Sequence, residues 1–280
     1  MIQPYSLDNE IIDTMSEVDS GFKLDTIINE NAAVALQRFP PNSVALTVTS
    51  PPYDDLRDYN GYAFDAAALA NIVEQLYRVT KPGGVVVWII GDSVKNGSES
   101  GNSFRQALLF MDHGFKLHDT MIYEKNTSSF PAKRAGTRYT QIFEYMFVFC
   151  KGKLATANLI CDKSNKWAGY TNWGKNTTRK KNGELQETSD IKPVPEFSPR
   201  NNIWHYNVGK GFNSSDAESH QHPAIFPEKL AEDHVLTWSN EGDVVLDPFS
   251  GSGTTCKMAK KNKRRYIGID ISEEYCALAE

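Results

Sequence analysis

Short runs of consecutive apolar residues alternate along this chain with longer stretches whose apolar positions recur every three to four residues. Leu24 to Ile28 and Val44 to Thr49 are apolar or β-branched and read as short strands. Between them, Ala32 to Phe39 predicts a helix, with Pro40-Pro41-Asn42 as its stop. Ala66 to Val79 places Leu69, Ile72, Val73 and Leu76 on one helical face. Lys81-Pro82-Gly83-Gly84 predicts a turn, and Val85 to Ile90 is a continuous apolar run suited to a strand buried on both faces. A helix over Ser103 to His113 and strands at Met121 to Tyr123 and Ile142 to Cys150 complete this part. Strands alternating with helices imply a doubly wound, mostly parallel sheet.

The alternation stops near Lys151. From there to Ser219 the chain is rich in Asn, Lys, Ser, Thr, Gly and Pro, with Trp167, Trp173 and Trp204 scattered through it. It resumes with a helix over Pro227 to Trp238, a strand over Val244 to Asp247, a helix over Thr254 to Lys261 and a strand over Tyr266 to Ile269. Ser272 caps a last helix running to Glu280. The expected organisation is a tail (1–23), an α/β half (24–150), an insert (151–219) and a second α/β half (220–280), without internal repeats.

Composition alters this picture in one respect. The net charge of the 280 residues is −5, yet Lys151 to Lys210 holds eleven Lys/Arg against five Asp/Glu. An acidic scaffold carrying one basic insert suits localised contact with phosphates. No apolar run is long enough for a membrane span, and the acidic, polar N-terminus is unlike a signal peptide. A cytoplasmic protein with reduced thiols is therefore expected. Cys150, Cys161, Cys256 and Cys276 form no CxxC pair, and His205 and His222 lack ligand spacing, so no metal is expected.

Two segments carry the candidate chemistry. Asp247-Pro248-Phe249-Ser250-Gly251-Ser252-Gly253 follows a strand and opens a helix at Thr254. Its glycines let the backbone approach a ligand, and the helix start favours a negatively charged group there. No Gly-Lys-Ser/Thr follows, which excludes a P-loop, and Cys256 stands where a dinucleotide fingerprint needs its third glycine. Asp270 ends the next strand, where a carboxylate can accept hydrogen bonds from both hydroxyls of a ribose. Ser250, Gly251, Gly253 and Thr254 complete the expected cofactor loop.

The second segment is Thr49-Ser50-Pro51-Pro52-Tyr53, again at the end of a strand. An exocyclic amine of cytosine or adenine is a poor nucleophile because its lone pair is delocalised into the ring. Accepting hydrogen bonds from both of its N–H groups pushes the nitrogen toward tetrahedral geometry. Ser50 offers a side-chain oxygen for this, and Pro51, in a rigid Pro-Pro turn with Pro52, offers a fixed carbonyl. Tyr53 can stack on an extruded base. Asp54, Arg57 and Tyr59 would then form a lid over it. A cytosine C5 enzyme is disfavoured, since no cysteine follows a proline.

Together these motifs resemble the beta class of DNA amino-methyltransferases, over about Leu24 to the C-terminus. The class is circularly ordered, with the catalytic half first, then target recognition, then the half that binds S-adenosylmethionine (AdoMet), and the order here is the same. The resemblance implies a Rossmann-like AdoMet-dependent methyltransferase fold with a target-recognition insert. It implies that Asp247 and Phe249 approach the methionine part of AdoMet and Asp270 its ribose. His222 to Pro227 looks like the segment whose Phe226 and Pro227 pack near the cofactor. Tyr123-Glu124-Lys125 looks like the lining of a flipped-base pocket, with Tyr123 and Lys125 as substrate contacts alongside Arg57. Where the family usually has Gly-Asp after the first strand, this chain has Glu30-Asn31, so the adenine contact would be the Asn31 amide.

The resulting expectation is site-specific transfer of methyl from AdoMet to N4 of cytosine in double-stranded DNA, because serine opens the clamp. N6-adenine is the alternative target. More remote readings are an RNA or protein methyltransferase and an inactive DNA-binding homologue. A cognate restriction enzyme is a further candidate partner, no membrane is involved, and the protein is expected as monomer or homodimer.

Overall fold

Runs that are apolar at every position can satisfy both their backbone and their side chains only inside a sheet covered on both faces. The computed structural model, which describes residues 22–52, 66–127, 137–171, 177–187, 192–209 and 227–280, builds that sheet. Its strands, numbered with all others in chain order, are β1 (Thr26–Asn29), β2 (Val44–Thr49), β3 (Thr80–Ile90), β6 (Lys116–Lys125), β7 (Phe143–Cys150), β12 (Ile203–Tyr206), β13 (Val244–Asp247) and β14 (Arg265–Asp270). The short strands β4 (Val94–Lys95), β5 (Ser98–Glu99), β8 (Lys163–Ser164), β9 (Thr177–Arg179), β10 (Leu185–Glu187) and β11 (Phe197–Ser198) pair outside it.

The order across the large sheet is β1-β14-β13-β2-β3-β7-β6-β12. Of these strands only β7 runs antiparallel, to β3 on one side and β6 on the other. Side chains alternate between two cores. Val86, Trp88 and Ile90 of β3 enter one, with Leu69, Ile72, Val73 and Leu76 of the helix Ala66–Val79 and Phe110 of the helix Asn102–Asp112. Val85, Val87 and Ile89 enter the other, with Leu230, Val235 and Trp238 of the helix Glu228–Trp238. Phe110 stacks on Phe149 at 4.5 Å in the first core.

Lys81-Pro82-Gly83-Gly84 lies within β3 rather than in a separate turn. Val44 pairs with Thr80 and Leu46 with Val85, so these four residues absorb a bulge. Gly83 sits at φ +81°, and a Cβ there would lie 2.6 Å from that of Ala155 and 2.8 Å from the Lys153 carbonyl. Its N–H donates to the Lys151 carbonyl at 2.7 Å. The Lys151 ammonium bonds the carbonyls of Tyr77 and Thr80 and the Asn42 amide oxygen. The glycine signal was therefore a close backbone approach that locks the exit of β7.

Strand β12, inside the stretch read as an insert, is a four-residue edge strand whose Trp204 and Tyr206 point into the second core. Trp204 stacks on the buried imidazole of His234 at 4.7 Å. The structure divides into two compact units, Leu159–Asn201 and the rest of the chain. The chain is fixed within the larger unit just before and just after that segment. Asn158 donates to the carbonyls of Thr237 and Ser239. Asn202 donates from its side chain to the Thr120 carbonyl, and its own carbonyl accepts from the Ile122 N–H at the edge of β6.

The smaller unit has its own architecture. β8 pairs with β11 and β9 with β10, both antiparallel. Arg200 forms an ion pair with Asp162, and Asn165 donates to the Pro195 carbonyl at 2.9 Å. Trp167 and Tyr170 are exposed, with ring centroids 5.8 Å apart. Arg179, Lys180 and Lys181 stand exposed at the β9–β10 turn. No helix among the described residues is long and apolar enough to cross a membrane.

Gly83→Ala is expected to destabilise the protein by roughly 2–4 kcal/mol, combining positive-φ strain with a steric clash. Gly152→Ala, also at φ +81° but with nothing within 4 Å of the added Cβ, carries only the backbone strain of about 1 kcal/mol. Thermal or denaturant unfolding of the two variants checks this; equal losses would rule out the close approach as the cause.

Candidate functional site

In an open parallel sheet, a crevice forms where the chain's winding direction reverses, at the carboxyl ends of the two central strands. Here β13 leads outward through β14, while its other neighbour β2 leads to β3. The carboxyl ends of β13 and β2 are Asp247 and Thr49, on strands registered through Val245↔Leu46 and Leu246↔Thr47. The two expected motifs thus begin on adjacent strand ends, although 198 positions separate them in sequence.

They are joined by a hydrogen bond. The Thr49 hydroxyl donates to Oδ1 of Asp247 at 2.6 Å, and the Phe249 N–H donates to the same oxygen at 3.1 Å. The Thr255 hydroxyl donates to the Val48 carbonyl at 3.1 Å, a second tie between the segment after Asp247 and β2. Asp247 is only 1% exposed. Burial pushes its carboxyl up to about 6, opposed by the hydrogen bonds from Thr49 and Phe249 and by the nearby Thr255 hydroxyl, while nearby Asp270 adds to the rise.

The loop after Asp247 is shaped by small residues. Gly251 at φ +49° and Gly253 at φ +79° turn the backbone into the helix Thr254–Lys261. A Cβ on Gly253 would lie 2.9 Å from that of Ala279. Gly268 in β14 keeps room beneath the loop, since a Cβ there would meet Ile27, Cys256 and Ser250 at 2.6, 2.9 and 3.0 Å. Gly268 had no role in the sequence-derived site, and its only signal was a glycine inside a strand.

Asp270 closes the far side of the loop. Its carboxylate accepts from the Gly251 N–H and the Ser272 N–H, both at 2.9 Å, and burial raises its pKa. Asn31 lies just beyond β1, whose Asn29 registers with Asp270. The Asn31 side-chain oxygen accepts from the Ala33 N–H at 2.9 Å, capping the helix Ala32–Ala35. Asn29, absent from the sequence-derived site, donates to the carbonyls of Asp270 and Ile271. Ser250 is 6% exposed, and its buried hydroxyl has no partner among the described residues. An orphaned hydroxyl, a buried carboxylate and a half-buried one in a glycine loop fit a polar ligand that carries hydroxyls and positive charge.

Phe249 is half-buried, its ring 6.0 Å from Trp88, whose indole N–H bonds Gln106 at 2.8 Å. Ser50 and Pro52 are half-buried and Pro51 is buried, directly after Thr49. Tyr53, Arg57 and Phe226 lie outside the described residues, as do Asp54 and Tyr59. Pro227 is buried at the start of the helix Glu228–Trp238.

Tyr123 and Lys125 end β6 at the same sheet edge as Thr49, since β6 and β2 both run antiparallel to β7's direction. Tyr123 is 2% exposed and belongs to the second core, which raises its hydroxyl pKa through burial and then through Glu144. Lys125 pairs with Glu144 and lies 5.2 Å from the Tyr123 ring. Asp92, at the end of β3, accepts from the Ser100 hydroxyl and from the Ser103 N–H, tethering the start of the helix Asn102–Asp112. Among the described residues, no cluster of His, Cys, Asp and Glu could hold a metal ion.

Known proteins are similar to this chain in sequence and in fold. The orphan methyltransferase M.BamHII of Bacillus amyloliquefaciens is 57% identical over 237 residues, covering 85% of this chain and 87% of that one. The type II methyltransferase M.BglII of Bacillus subtilis is 28% identical over 97% of this chain and 72% of its own. Among solved structures, the PvuII DNA methyltransferase (cytosine-N4-specific) matches with a TM-score of 0.63 at 20% identity, over 90% of this chain and 84% of that one. The S-adenosyl-L-methionine complex of a DNA modification methylase from Thermus thermophilus matches with a TM-score of 0.56 at 23% identity, over 91% and 92%. These two carry the fold. A family model described as DNA methylase matches residues 44–280, which include both strand-end motifs and the sheet between them, and the chain therefore belongs to the N6/N4 family of DNA methylases.

Proposed function

We propose that this DNA methylase transfers a methyl group from AdoMet to N4 of cytosine in double-stranded DNA, acting on a base taken out of the helix. The observation that carries the reading is the hydrogen bond from Thr49, the residue before Ser50 and Pro51, to Asp247, the residue that opens the proposed cofactor loop. AdoMet, when bound, supplies an electrophilic methyl group to the amine. Asp247 would hold the cationic methionine end with its carboxylate, and Phe249, which contacts Trp88, would pack beside it. Asp270 keeps lone pairs for ribose hydroxyls beyond the two backbone N–H groups it already accepts. The Ser250 hydroxyl, without a partner among the described residues, would gain one from a bound cofactor.

The residues of the clamp then act on the amine. Ser50 and the Pro51 carbonyl accept its two N–H bonds, which localises the nitrogen lone pair for attack. Burial of Pro51 and the anchored Thr49 fix these acceptors before the base arrives, so little reorganisation accompanies reaction. Tyr53 is assigned to stack on the base. Serine at the first position supports cytosine over adenine, and the cytosine-N4-specific PvuII enzyme is a structural neighbour consistent with that choice.

The unit Leu159–Asn201 is assigned to DNA contact. Its exposed Arg179, Lys180 and Lys181 suit phosphates, and exposed Trp167 and Tyr170 suit stacking or groove contact.

Three measurements test these assignments. DNA incubated with the protein and AdoMet, digested and examined by mass spectrometry, is expected to contain N4-methylcytosine; N6-methyladenine would overturn the choice of base. Ser50→Ala is expected to lower turnover by a factor of about 10²–10³, comparable to loss of one oxyanion-hole donor, with AdoMet affinity unchanged. A fully active Ser50→Ala enzyme would remove Ser50 from the mechanism. Replacing Arg179, Lys180 and Lys181 together by Ala should weaken DNA binding and reduce the slope of log K against log salt by about 3. An unaltered slope would place the phosphate contacts elsewhere.

A further inference from the structure

We infer that Thr49 is a positioning residue, which ties the strand carrying the clamp to the cofactor loop through its bond to Asp247. The inference rests on the proposed AdoMet role of Asp247 and adds the residue that acts through it. Ser50 is the sequence neighbour with the proposed chemical task, whereas the Thr49 side chain is fully buried at the end of β2. There its hydroxyl has one carboxylate acceptor, at 2.6 Å. A charge-assisted bond of that length in a dry site is among the stronger hydrogen bonds a protein makes. It fixes the carboxyl end of β2 against that of β13 at the point where the two strands diverge.

The bond also acts on the charge of Asp247. The groups facing this carboxyl are the Thr49 hydroxyl on β2, the Phe249 N–H in the loop, Thr255 and the thiol of Cys256 on the following helix, and the Asp270 carboxyl at the end of β14. Neither Asp270 nor the neutral thiol favours ionisation. Among the described residues no cation stands with the groups acting on Asp247, so neutral donors keep it ionised. Thr49 heads those donors. Its loss favours the protonated form, which cannot serve a cationic ligand group in the same way.

The test compares Thr49→Val, which keeps the shape and removes the donor, with Thr49→Ser, which keeps the donor. AdoMet affinity is measured by calorimetry from pH 5.5 to 8.5 on the full chain, with turnover at saturating AdoMet as a second readout. Wild-type affinity is expected to fall as pH drops through about 6, because the ionised form is lost there. In Thr49→Val the midpoint should rise by about one unit, giving about five-fold weaker binding at pH 6 and affinity within two-fold at pH 8.5. Turnover of that variant at pH 8.5 should still fall by about ten-fold, because the clamp loses its anchor. Thr49→Ser should restore both. An unchanged midpoint, an equal loss of affinity at every pH, or a Thr49→Ser variant matching Thr49→Val would each overturn the inference. If Asp247→Ala binds AdoMet as tightly as wild type, the assignment of Asp247 itself fails, and the inference falls with it.

Discussion

Covering a parallel sheet on both faces is the constraint from which the rest follows. Once Val85 to Ile90 and their neighbours send alternate side chains into two cores, the central strands have no solvated face. Polar chemistry can then occupy only the strand ends. Because β2, β3, β6, β13 and β14 share one direction, their carboxyl ends meet at one edge. Thr49, Asp247 and Asp270 are brought together by that alignment, whatever their separation along the chain.

Burial gives the site its character and also makes it costly. A carboxylate as enclosed as Asp247 loses hydration that a partner must replace. Among the described residues, neutral donors rather than a cation act on it, so its charge is not cancelled by an ion pair with them. Asp270 follows the same logic with two backbone N–H groups. The loop between them has room for this only because Gly251, Gly253 and Gly268 carry no side chains.

Much of this was legible in the sequence. The continuous apolar runs identified the buried strands, and the two motifs fell at strand ends as their flanking patterns required. What escaped were features whose cause lies elsewhere in the chain. β12 is four residues in a polar stretch, and only β6 and the second core make it a strand. Lys81 to Gly84 carried every sign of a turn, but the need was for a bulge and a backbone contact with the segment after β7. The Thr49–Asp247 bond could not be read from either motif alone, since it exists only when β2 and β13 are neighbours. Trp204 and Trp167 look alike in sequence, yet one is buried and the other 54% exposed.

Asn158 and Asn202 give the larger unit two fixed seams, each made largely of bonds to main-chain groups. Bonds to main chain do not depend on which side chains lie between the seams. The segment they bracket can therefore drift in length and composition, or be replaced outright, while the sheet and its strand-end chemistry stay as they are. A lineage built this way can exchange that unit without re-evolving the sheet that carries it.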